Sequence, residues 1–147
     1  MEENVVPPMP QNLPPGREKR GLGRTLLLVF VTALGMKFFL FDFMIAEGRS
    51  MLPAIRPGTV LLVNRVAYGF KPPWAGRYLV RWSRPAVGDV VVFHTPRGNI
   101  AVKRCGEVTE NQEILALGDN DLESFDSRSY GPIPVDNILG RVMAVKR

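Results

Sequence analysis

The chain has 147 residues, 46% of them hydrophobic and 22% charged, with a net charge of +5. That length suits one compact domain, and the apolar content excludes a chain disordered throughout. A single cysteine, Cys105, excludes an intrachain disulfide, and a single histidine, His94, excludes a multi-histidine zinc site. No metal or cofactor is expected.

Residues 1–16 are rich in proline and polar side chains and predict an extended tail. A basic cluster follows (Arg17, Lys19, Arg20, Arg24), and then an apolar run from Thr25 to Ala46. At helical rise that run would span about 33 Å, enough for the hydrocarbon of a bilayer. Basic residues before it and Glu47 after it predict a cytoplasmic N-terminus, with the rest of the chain across the membrane. The expected organisation is a basic tail over 1–24, a transmembrane helix over 25–46 and a folded domain over 47–147. Lys37 and Asp42 leave the exact membrane boundaries open. A cleaved secretory signal and a buried soluble helix remain as alternatives, although Met44-Ile45-Ala46 lacks the small residue that a cleavage site requires.

Beyond Ala46 the pattern changes to short β-type runs broken by glycine and proline. Strands are predicted over Thr59–Arg65, Asp89–Thr95, Asn99–Val108, Glu113–Leu117 and Ile138–Val145, with a turn at Pro96-Arg97-Gly98. The fold expected is mainly β, a small folded antiparallel sheet or barrel behind one N-terminal helix. Tyr68–Arg84 mixes tryptophans, tyrosines and basic residues. That mixture suits a membrane interface, an ordinary loop or single-stranded nucleic acid. The membrane is favoured because of the anchor, and nucleic acid is not expected as a partner.

A Ser-His-Asp triad would need His94, which sits in a valine-rich strand and reads as an ordinary strand-end side chain. Ser50 lies between Gly48 and Pro53, in a turn that could expose a nucleophile; Met51 and Leu52 offer an apolar lip. A structural turn serine is the plain alternative. In NIAVKRC, alternation places Ala101, Lys103 and Cys105 on one face and Val102 with Arg104 on the other. A buried Lys103 would give up its proton more readily. From a reference near 10.4, holding it neutral at pH 7 costs about 4.6 kcal/mol, so burial must lower that figure for Lys103 to act as a base. An exposed strand lysine is the alternative. Between Leu117 and Gly131, Gly118, Asp119 and Asn120 form a turn. Ser124, Asp126 and Arg128 alternate, sharing a face if the segment is extended. That segment could equally be a plain polar loop.

Taken in order, these stretches resemble bacterial signal peptidase I. Ser50-Met51-Leu52-Pro53 is similar to that family's nucleophile box. Arg84 with Pro85–Phe93, containing Gly88 and Asp89, is similar to its Gly-Asp strand box. Val102-Lys103-Arg104 is similar to its general-base box. Gly118-Asp119-Asn120 with Ser124, Asp126-Ser127-Arg128 and Gly131 is similar to its terminal box. The resemblance covers about residues 25–145. It implies that Ser50 attacks the scissile carbonyl, that neutral Lys103 takes its proton, and that Ser124 positions the lysine. It further implies that Asp126 and Arg128 brace the terminal box, that Met51, Leu52 and Pro53 border the substrate, and that the Ser50 N–H donates to the oxyanion.

Gly48 stands where some members have a serine as second oxyanion donor. Asp121 stands where arginine is common, and Cys105-Gly106-Glu107 replaces a Gly-Asp pair. The implied activity is removal of signal peptides from exported preproteins by a monomer at the outer face of the cytoplasmic membrane. The alternatives are a Ser-Lys processing peptidase with a narrow substrate, of pilin or conjugation type, and a non-catalytic membrane-anchored peptide-binding module.

Overall fold

A computed structural model describes residues 17–146. The proline-rich stretch 1–16, expected to be extended, lies outside those residues. The chain forms helix α1 (Arg17–Leu40), strands β1 (Phe41–Ile45), β2 (Val60–Asn64), β3 (Gly69–Phe70), β4 (Val80–Arg81), β5 (Val90–His94), β6 (Ile100–Val108) and β7 (Glu113–Leu117), a one-turn helix α2 (Ser127–Tyr130), β8 (Ile133–Pro134), a 3-10 turn (Val135–Asn137) and β9 (Ile138–Lys146). Two compact units are distinguished, residues 1–35 and 36–147.

The first unit holds most of α1. Large apolar side chains stand exposed along it, among them Leu26, Val29, Phe30 and Met36. Thr25 and Thr32 each turn the hydroxyl back onto the carbonyl four residues earlier, Gly21 at 3.0 Å and Leu28 at 2.8 Å. Among the described residues no helix is long and apolar enough to cross a membrane.

The helix expected over 25–46 is displaced at both ends. It begins at Arg17, inside the stretch expected as tail, because Glu18, Lys19 and Arg20 are good helix formers. It stops at Leu40, and Phe41–Ile45 is a strand. The reason is tertiary. The β1 backbone pairs with β2 from Phe41↔Asn64 to Ile45↔Val60, and Asp42 reaches Arg65 at 3.4 Å.

The domain is a curled antiparallel sheet of seven strands, in the order β1-β2-β9-β5-β6-β7-β8, with β3 and β4 as a separate hairpin. Each strand predicted from alternation lies where it was expected, within about two residues at its ends. Register shifts at Leu62/Val63, Val92/Phe93 and Cys105/Glu107 interrupt the ladder. Such bulges raise local twist and let a sheet curl. Neighbours on β5 serve two cores. Val91 and Phe93 pack with Cys105, Ile114, Ile133 and Ile138, while Val92 packs with Met51, Ile55, Leu61 and Val63. Burying each such side chain contributes about 1.5–3 kcal/mol. Because Met51 and Ile55 belong to the second core, the loop joining β1 to β2 is seated on the sheet.

Candidate active site

Ser50 sits in that loop. Its base is closed by Ala46 N–H to Thr59 carbonyl (2.9 Å) and Gly58 N–H to Ala46 carbonyl (2.8 Å). Inside it, Leu52 N–H returns to Arg49 carbonyl and Ile55 N–H to Met51 carbonyl. Gly48, at φ 78°, takes the left-handed conformation that lets the chain turn into Arg49 and Ser50. Buried Met51 and Ile55 then hold the turn down while Ser50 stays half-exposed.

Lys103 comes from the middle of β6, opposite Val91 of β5. Only 4% of it is exposed. Alternation is as expected: Ala101 and Cys105 pack with one core and Val102 with the other. Burial pushes the Lys103 ammonium below its ordinary value; the nearby Asp126 carboxylate opposes that shift and the Arg128 guanidinium adds to it.

The terminal segment meets the Ser50 turn. Asn120 N–H donates to the Ser50 carbonyl at 2.9 Å, and its Nδ2 donates to the Arg49 carbonyl at 3.1 Å. Gly118 has no room for a side chain. A Cβ there would lie 2.1 Å from Ser124 Oγ and 2.6 Å from the Ser50 carbonyl oxygen. Asp119 accepts two bonds from Arg104, at 2.8 and 2.7 Å, and Arg104 also donates to the Gly88 carbonyl at 2.9 Å. Asp89, next to Gly88, accepts from Tyr68 Oη at 2.8 Å and from Ala86 N–H at 3.1 Å. One guanidinium therefore ties the Gly-Asp strand box to the terminal turn.

Asp126 is wholly buried. Its carboxylate accepts from Gly118 N–H (2.8 Å), Ser124 Oγ (2.6 Å), Arg128 N–H (3.1 Å), and the Arg128 guanidinium at 2.9 and 2.5 Å. Burial alone would raise its pKa. The Arg128 guanidinium, Gly118 N–H and Ser124 hydroxyl outweigh burial and hold the carboxyl well below the usual carboxylate range.

The segment is not extended, so Ser124, Asp126 and Arg128 do not share a strand face as expected. Asp126 caps the one-turn helix α2, and Arg128 folds back over it. An aspartate followed by a free N–H two residues on favours a cap over a strand. Asp121, in the position where arginine is common, gives Arg128 a second carboxylate at 2.5 Å.

Ser50 and Lys103 line one cavity of about 340 Å³, with apolar walls from Met44, Ala46, Met51, Ile55 and Val102. Leu52 and Pro53 do not line it, so of the three residues expected beside a substrate only Met51 does. Gly48 and Glu47 also line it. His94 borders two neighbouring cavities instead. Among the described residues no group of three His, Cys, Asp or Glu side chains could hold a metal ion. No local pattern points to the Arg104–Asp119 pair or to the double hold of Asn120 on the Ser50 turn. Both join residues far apart in the chain.

The amino-acid sequence is similar to those of known proteins. Residues 19–109 and 101–146 match the family described as signal peptidase, peptidase S26. Probable signal peptidase I-1 of Synechocystis sp. is 25% identical over 80% of this chain and 77% of its own. Signal peptidase I of Bacillus caldolyticus is 24% identical over 86% of this chain and 90% of its own. Probable thylakoidal processing peptidase 2, chloroplastic, of Arabidopsis thaliana is 25% identical over 63% of this chain and 34% of its own.

Proposed function

The chain belongs to the signal peptidase family, peptidase S26, and from that premise we propose that it removes signal peptides through a Ser50–Lys103 dyad. It is a peptidase, a hydrolase whose relatives carry the name signal peptidase I. The observation that carries the dyad is the cavity shared by Ser50 and a nearly buried Lys103. Desolvation favours the neutral amine, the form a general base needs.

The hydrogen bonds around Asp126 suggest how the base is oriented. The Ser124 hydroxyl has one proton, and it is committed to Asp126 Oδ2. Toward Lys103, Ser124 can therefore only accept. An amine N–H donated to Ser124 would leave the lysine lone pair free for the Ser50 proton. In this reading Ser50 Oγ attacks the scissile carbonyl and its proton passes to Lys103 Nζ. The tetrahedral intermediate collapses with that proton delivered to the leaving amine, and Lys103 then draws a proton from the water that hydrolyses the acyl-enzyme. Ser50 N–H is the oxyanion donor supported by the turn geometry. Gly48 has no hydroxyl to offer as a second.

The substrate class proposed is exported preproteins, with small residues facing the apolar cavity. Attachment to the cytoplasmic membrane through the apolar part of α1 belongs to the same reading, with the catalytic domain on the outer side. It is supported by the exposed apolar side chains of α1, the internally satisfied threonines and the basic residues at its N-terminal end. The test is cleavage of an Ala-X-Ala preprotein by purified Ser50→Ala and Lys103→Ala variants that retain wild-type melting. Loss in both is expected, and normal processing by either would refute the dyad. Protease protection in sealed vesicles tests the orientation.

A further inference from the structure

The cavity of Ser50 and Lys103 shares its walls with others. Met44 and Ile100 line it and also line a neighbouring cavity of about 230 Å³. That one shares Arg65, Pro73, His94 and Leu139 with a third, of about 200 Å³, to which Lys71 and Asn137 belong. Common walls make these one groove, which leads from the nucleophile to a cluster of basic side chains. Four separate elements supply the cluster. Arg65 follows β2, Lys71 follows β3, His94 ends β5 and Asn137 ends the 3-10 turn.

No carboxylate lines the third cavity. Two stand nearby, and both are engaged. Asp42, in the middle cavity, meets Arg65 at 3.4 Å with about half of its side chain exposed. Asp136 gives its carboxylate to Arg81 at 2.7 Å, and Lys71 Nζ donates to the Asp136 carbonyl instead. Among the described residues neither Lys71 nor His94 forms an ion pair. Burial pushes the Lys71 ammonium below its ordinary value; the Asp136 carboxylate opposes that shift and the Arg65 guanidinium adds to it. Basic groups held together between Pro73 and Leu139 are therefore short of a negative partner.

Strand geometry says which part of a substrate reaches them. Ile100 precedes Lys103 on β6 and pairs directly with His94. At about 3.3 Å per residue, a peptide extended along β6 with its scissile carbonyl at Ser50 passes Ile100 about three to four residues from the cut. Small residues preceding the cut face the apolar cavity in the reading above, so the residues passing Ile100 precede it too. We propose that the Arg65–Lys71–His94 recess is a substrate subsite that takes an aspartate or glutamate side chain about four to six residues before the cut. Arg65 presents a fork that fits a carboxylate, and Lys71, His94 and Asn137 add single N–H donors. The apolar walls keep water out and strengthen each contact. The placement of the carboxylate along the peptide rests on the peptidase reading.

The test uses peptides built on one Ala-X-Ala preprotein segment, with Asp, Asn or Lys placed in turn at successive residues on both sides of the cut. Binding of labelled peptides to the full chain carrying Ser50→Ala is read by fluorescence anisotropy in neutral detergent. Cleavage by the wild-type chain is read as kcat/KM. Asp within the stated window should bind about tenfold more tightly than Asn at the same place, and Lys more weakly than Asn. The gain should appear in KM and shrink in high salt. In Lys71→Glu the order should reverse, with Lys preferred over Asp, and Arg65→Gln should lower the Asp-to-Asn ratio severalfold. A ratio taken between two peptides on one variant cancels any loss of folded chain. Equal binding of Asp and Asn at every position would overturn the proposal. So would an Asp preference that both variants leave intact, or one confined to residues after the cut. An Asp preference in binding with no cleavage of any peptide by the wild type would keep the recess and strike the peptidase reading.

Discussion

Asn120 holds the carbonyl of Ser50 at 2.9 Å through its backbone N–H and the carbonyl of Arg49 at 3.1 Å through its side chain. A trans peptide points its N–H opposite to its carbonyl. Turning the Arg49 carbonyl toward Asn120 therefore turns the Ser50 N–H away from it, and so sets the direction of the proposed oxyanion donor. Asn120→Ala keeps the backbone bond and frees the Arg49 carbonyl. The expected loss is in kcat, about 5–10-fold for a bond worth about 1 kcal/mol, with KM nearly unchanged. Steady-state kinetics on a preprotein checks this; a rise in KM at constant kcat would assign Asn120 to substrate binding instead.

Gly118 is a point of close approach between the Ser50 turn and the terminal segment. Because one of the three nearest atoms facing it is the Ser50 carbonyl oxygen, the backbone must move to admit a methyl group. Gly118→Ala should destabilise the fold by about 1–3 kcal/mol and lower activity further than that loss explains. Thermal unfolding read beside kinetics well below the melting midpoint separates the two effects.

The proposed base makes activity depend on pH with a definite sign. Lys103 must lose its proton, so the acid limb of kcat/KM rises as pH passes the lysine pKa, which burial places below the ordinary 10.5. Asp126 raises that pKa and Arg128 lowers it. Arg128→Gln should therefore move the limb to higher pH and Asp126→Asn to lower pH. Shifts in the same direction would mean that the limb belongs to another group.

Asp126 also carries stability. Its carboxyl is held below the usual range, so its contribution is complete above about pH 4 and is lost as pH falls through the folded-state value. Asp126→Ala leaves Gly118 N–H and the Ser124 hydroxyl without their acceptor. A loss of about 2–4 kcal/mol is expected at neutral pH. Denaturant titrations should show the gap from wild type narrowing in acid.

The larger strands could be read from the sequence because alternate side chains of each share a core: Val91 with Phe93, Ile114 with Ala116, Leu61 with Val63. β1 could not, since Phe41–Ile45 continues an apolar run and its pairing partner lies some twenty residues further on. The two-residue strands β3 and β4 owe their place to Arg81, Tyr78 and Asp136, which no local pattern brings together. At the candidate site, Ser50 and Lys103 stand out in the sequence by their settings and by the order of the boxes around them, and they line one cavity. The turn at Asp126 was not, because alternation of Ser124, Asp126 and Arg128 fits a strand as well as a capped helix. Leu52 and Pro53, expected with Met51 to border the substrate, do not line the cavity, where Met51 is the residue that turns inward.

The most direct test of the dyad is the site and pH dependence of acylation. The full chain is treated with an acylating active-site probe in detergent, and the adduct is mapped by mass spectrometry. The account predicts one adduct, on Ser50, forming faster as pH rises and falling by at least about 10³-fold in Lys103→Met. An adduct on another residue, or Ser50 acylated by the lysine variant at the wild-type rate, would contradict it.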